Sequence, residues 1–209
     1  MDTVRIQAKI KYATLVVGVA LSVAVALTFY FILIPVSEPN RAKQAVEVFG
    51  IGAGLVTLVY AAMTVHQMYD SASAAAARER VRYSADLVSQ WHSPDMVVLT
   101  LIGFKLRTAA RAQPNNDVLE LIRREPDGEK AIVCIFNYFE KVALSIEYGI
   151  ADEPYLRDFF ASTVSGYHHD VFAFVQRKRS EARTTKIFDK FEEMAKRWEQ
   201  TQLKSAAKD

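Results

Sequence analysis

The chain contains one cysteine, Cys134, so no internal disulfide framework can hold it together. That scarcity fits a reducing, cytoplasmic setting for the residues around it. Also missing are a phosphate-cradling glycine-rich loop, a nucleophile elbow, a CxxC pair and an HExxH helix. The usual signatures of nucleotide, acyl-transfer, dithiol and zinc-hydrolase chemistry are therefore absent. No segment alternates apolar and polar residues as a half-buried strand would. Neither sign of charge is in excess beyond Tyr69, where 21 basic residues face 21 acidic ones. A region without net positive charge is a poor general binder of phosphate backbones, so no nucleic-acid partner is expected.

The most consequential absence lies in the first third. Tyr12 to Ser37 contains no Asp, Glu, Lys or Arg, and neither does Val48 to Tyr69. A hydrocarbon core of ~30 Å takes about 20 apolar residues as helix, and each stretch is long enough. The sequence therefore predicts two transmembrane spans. The first is too long for a signal-peptide core, which runs roughly 7–15 residues, and it leaves through bulky Phe29 to Pro35 rather than a small-residue cleavage site. Arg5, Lys9 and Lys11 precede it; Arg78, Arg80 and Arg82 follow the second span. This places both termini in the cytoplasm and the loop from Glu38 to Glu47 on the other side.

With no Asp, Glu, Lys or Arg inside the spans, and His66 counted as neutral, a transport path within one subunit is not expected. An oligomeric pore lined by Ser22, Thr28, Thr57 and Thr64 stays open as an alternative. Small residues recur at helical spacing: Gly18, Ser22 and Ala26 in the first span, Gly50, Gly54, Thr57 and Ala61 in the second. Such stripes let backbones approach closely in lipid. They serve either a hairpin within one subunit or a contact between subunits.

After the spans, Met68 to Gln90 includes four consecutive alanines and no Pro or Gly, which predicts that the second span continues as one stem helix. Ser93-Pro94 opens the next helix, to about Arg111. Turns at Gln113 to Asn116 and Glu125 to Gly128 bracket a short helix through Val118 and Ile122. A helix with Ile132, Ile135, Phe136, Phe139, Val142, Ala143 and Ile146 on one face stops at Gly149. Asp152 caps another, carrying Leu156, Phe159, Phe160, Thr163, Tyr167, Val171, Phe174 and Val175. The last presents Ile187, Phe188, Phe191, Met194, Ala195 and Trp198. The expected fold is all-α: a two-span transmembrane hairpin, a long stem helix and a cytoplasmic bundle of about five helices. The corresponding segments are 1–69, 70–92, 93–200 and a polar tail at 201–209.

Three constellations invite chemistry. In His168-His169-Asp170 the two imidazoles point about 100° apart on a helix, and neither has a His or carboxylate four residues away. His168 is expected partly buried and His169 at the surface, with no metal site and no catalytic role. Asn137 and Glu140 lie in a very apolar helix and predict a buried polar network, with a ligand or enzyme pocket as the minor alternative. Arg177, Lys178, Arg179 and Arg183 form the densest basic run, either a solvated helix end or a contact with anionic lipid headgroups. Cys134 reads as a small core residue.

From Val133 to Glu153 the chain carries Asn137-Tyr138-Phe139-Glu140, followed by Gly149-Ile150-Ala151-Asp152-Glu153. With Trp91 to Met96 and Lys190-Phe191-Glu192, this resembles a bacterial family known only as a domain of unknown function, over Trp91 to Trp198. Where many of its members carry an aromatic pair, this chain has Tyr167-His168. The resemblance implies a membrane-anchored helical domain and brings no catalytic residues. The reading is a non-enzymatic anchor, scaffold or accessory subunit in the bacterial inner membrane. It needs no cofactor, contacts lipid, and assembles with itself or a partner complex. The alternative is a membrane effector or pore-forming oligomer gated through its cytoplasmic domain.

Overall fold

A computed structural model describes residue 28, residues 40–112 and residues 117–206. The expected first span and the turn at 113–116 fall outside them. Among the described residues every regular element is a helix: α1 (Arg41–Trp91), α2 (Pro94–Ala112), α3 (Val118–Arg124), α4 (Gly128–Glu147), α5 (Glu153–Ala182) and α6 (Asp189–Ala206). The chain divides into two compact units, Met1–Ser73 and Ala74–Asp209.

In the first unit, α1 carries Ile51, Leu55, Leu58, Val65 and Met68, all well exposed. Among the described residues α1 is the one helix long and apolar enough to cross a membrane, and its most apolar window is 0% buried by the chain. Apolar surface on this scale is costly in water.

The second unit is a helical bundle. The last turns of α1 join it through Ser84, Leu87, Val88 and Trp91, the spacing of one helix face. The buried Tyr138 hydroxyl donates to the Leu87 carbonyl at 2.6 Å. The Trp91 ring lies 5.0 Å from Tyr138, 4.9 Å from Phe139 and 5.7 Å from Phe160, centroid to centroid. Ser84 is fully buried and accepts the Asp152 amide at 2.8 Å, which fixes the turn between α4 and α5.

That turn follows from its residues. Gly149 adopts φ +66°, the left-handed conformation favoured by glycine just past a helix end. The amides of Ile150 and Ala151 then fold back onto the Ser145 carbonyl. Asp152 caps α5 by accepting the Tyr155 amide at 2.9 Å. Ile132, Ile135, Phe136, Phe139 and Val142 are completely buried on α4, as the periodicity predicts. Two details differ. Phe159 is 45% exposed, because adjacent Phe160 takes the core position and two neighbours on a helix cannot share a face. Ile187 and Phe188 precede α6 rather than belonging to it, since Phe188 has φ 55° and the helix starts at Asp189.

Candidate functional site

The small-residue stripe can be followed on α1 alone, because Gly18, Ser22 and Ala26 lie outside the described residues. A β-carbon built on Gly50 or Gly54 meets no described atom within 4 Å. Thr57 and Ala61 are exposed as well. The Thr57 and Thr64 hydroxyls donate to the carbonyls of Ala53 and Tyr60 at 2.8 and 2.9 Å, which satisfies them within their own helix.

The proposed polar pair separates. Asn137 is exposed, whereas Glu140 is half-buried and serves the start of α6. Its two oxygens accept the amides of Phe191 at 2.7 Å and Lys190 at 3.4 Å. Burial pushes the Glu140 carboxyl above the ordinary range, against the downward pull of those two amides; nearby Asp189 adds to the rise. Cys134 is a partly buried free thiol on the same helix.

The basic run is distributed among ion pairs. Arg177 reaches Glu181 at 2.7 Å, Lys178 reaches Glu129 at 2.6 Å and Arg179 reaches Glu192 at 2.6 Å. Arg179 also donates to the Ile187 carbonyl and stacks over the Phe172 ring. Although burial opposes it, hydrogen bonds from Lys196 and Arg179 hold the Glu192 carboxyl below the usual value. Arg183 is exposed and ends α5 in the left-handed conformation, φ 49°.

The third constellation draws in residues from other helices. Asp170 faces α2, accepting Arg107 Nε at 3.0 Å and Arg111 Nε at 2.9 Å. Gly166 makes room for this: a β-carbon there would collide with the Arg107 guanidinium, which lies over the Tyr167 ring. Burial pushes the Tyr167 hydroxyl up to about 12, although Arg107 pulls it down. His168 and His169 instead face α6. Oε1 of Glu199 lies 3.3 Å from His168 Nδ1, 3.2 Å from His169 Nε2 and 3.3 Å from the Ser165 hydroxyl. His168 is mostly buried and His169 is exposed, as expected. Glu199 carried no local signal, since it stands on another helix. Glu153, the last residue of the Gly149 to Glu153 signature, accepts the Trp198 indole at 2.8 Å and Arg197 Nη2 at 2.8 Å on its Oε1.

The family model described as domain of unknown function (DUF4760) matches residues 46–198. The chain belongs to that family. The match spans most of the chain and takes in the apolar part of α1, so DUF4760 reaches further toward the N-terminus than the Trp91 to Trp198 resemblance. No curated protein and no solved structure matches the chain.

Proposed function

We propose that this DUF4760 protein is a non-enzymatic anchor, scaffold or accessory subunit of the bacterial inner membrane. The observation that carries this reading is the apolar stretch of α1, whose side chains are exposed among the described residues. Lipid or another helix is the natural cover for such a surface. Two spans with both termini cytoplasmic agree with the distribution of Lys and Arg around the uncharged stretches. Assembly is supported by the small-residue face at Gly50 and Gly54, beside which no described atom lies within 4 Å of a built β-carbon. Of the residues that a pore would offer to water, Thr57 and Thr64 donate their hydroxyl protons to their own helix.

Topology tests the membrane part of this reading. A reporter inserted at Asn40 is expected on the periplasmic side, and reporters at either terminus in the cytoplasm. A cytoplasmic signal at Asn40 would overturn the orientation. Ion leakage on induced expression would replace the scaffold with the pore-forming effector.

A further inference from the structure

We propose that His168, His169 and Glu199 form a binding site for a divalent transition ion of the zinc class, which clamps α6 onto α5. The ligand atoms of the three residues lie within 4.8 Å of one another. Glu199 Oε1 lies 3.3 Å from His168 Nδ1 and 3.2 Å from His169 Nε2. A charge-assisted hydrogen bond to a carboxylate closes to about 2.7–2.9 Å. Two arginine contacts in this bundle are short, with Arg179 at 2.6 Å from Glu192 and Arg197 Nη2 at 2.8 Å from Glu153, while Lys190 stands 3.2 Å from both Glu147 and Glu193. The histidine contacts lie at the long end of that spread. They match the spacing between ligands around a tetrahedral ion, about 3.3 Å for metal–ligand bonds of ~2.0–2.1 Å.

Donor chemistry agrees. Two imidazoles and one carboxylate suit zinc and its first-row neighbours, and leave a fourth position for water. Ser165 is placed beside the same oxygen, 3.3 Å away, to orient that carboxylate. The site has a fixed side and a mobile side. His168 is held between Phe172 and Phe191, and its side chain is 13% exposed. His169 is 64% exposed, which gives the ion a route in and lets this ring swing to close the remaining edge. Adjacent histidines cannot point the same way from a helix, but they can converge on a ligand from a second helix lying between them. The site does not depend on the membrane reading.

The test uses the full-length protein without a histidine tag, in detergent, with His66 and His92 replaced by alanine so that only these two imidazoles remain. Titration with Zn2+, and with Co2+ as a visible reporter, is expected to give one ion per chain. Tetrahedral-type Co2+ absorption and a rise in Tm that a chelator reverses should accompany it. His169→Ala and Glu199→Gln should each weaken binding at least tenfold and abolish the Tm rise. Because His169 is exposed, its replacement should leave the metal-free Tm within a few degrees of the parent. Absence of stoichiometric binding, or binding that neither substitution weakens, would overturn the proposal.

Discussion

The Glu140 carboxylate accepts the Phe191 amide at 2.7 Å, capping from α4 a helix that begins 49 residues later, at Asp189. The first amides of any helix lack partners within it. Phe188, just before α6, has an apolar side chain and a left-handed backbone, so it cannot act as an ordinary cap. A carboxylate from the helix packed alongside does so, and its charge also complements the helix dipole.

Removing that cap should therefore be felt. Glu140→Ala is expected to lower stability by about 1–2 kcal/mol, the usual range for a lost cap, as read by chemical unfolding of the detergent-solubilised protein. The pH dependence has a defined sign. Since the folded state raises this carboxyl above 4.5, its contribution is fully present below that value and is lost as pH rises through the raised one. Glutamine does not titrate. The stability of Glu140→Gln relative to the parent should thus improve as pH increases from about 4.5 toward neutrality. A difference that stays flat with pH would remove burial as the dominant influence.

Asp170 offers a second test, because its two partners differ in burial. Its side chain is 8% exposed, that of Arg107 13% and that of Arg111 61%. Removing the carboxylate strands a mostly buried guanidinium, and Asp170→Ala is expected to cost about 3 kcal/mol or more. Arg111→Ala removes an exposed, solvent-screened arm and should cost much less. Equal losses in unfolding measurements on the two variants would contradict the asymmetry.

What the sequence made legible follows from the reach of its signals. Ile132, Ile135, Phe136, Phe139 and Val142 declare a buried face because their spacing repeats at the helical period. Gly149 and Asp152 declare a boundary because each has a local conformational role. Phe159 and Phe160 are chemically identical neighbours, and only the packing of other helices decides which turns inward. Glu140 was recognisable as an unusual polar residue, but its partners are backbone amides, which every residue type carries. His168 and His169 stood out locally, whereas their shared partner Glu199 is 31 residues away from the first of them. Periodicity and punctuation report on one element at a time. The contacts of Glu140 with α6 and of Glu199 with α5 lie between elements.

The stripe on α1 permits the sharpest test of assembly. Leucine at Gly50 and Gly54 would meet no described atom within 4 Å at its β-carbon. Leucine is also the better helix former, by somewhat less than about 1 kcal/mol per site, so α1 itself should not be weakened. Any loss in the Gly50→Leu/Gly54→Leu variant therefore reports on whatever covers that face. A contact between subunits predicts a fall in particle mass in detergent, with the bundle still folded by circular dichroism. Packing against the first span of the same subunit predicts poor insertion or yield at unchanged mass. The parent protein anchors the comparison: its mass should exceed that of one chain, or a stoichiometric partner should co-purify. A strictly monomeric, partner-free parent particle would sink the assembly proposal.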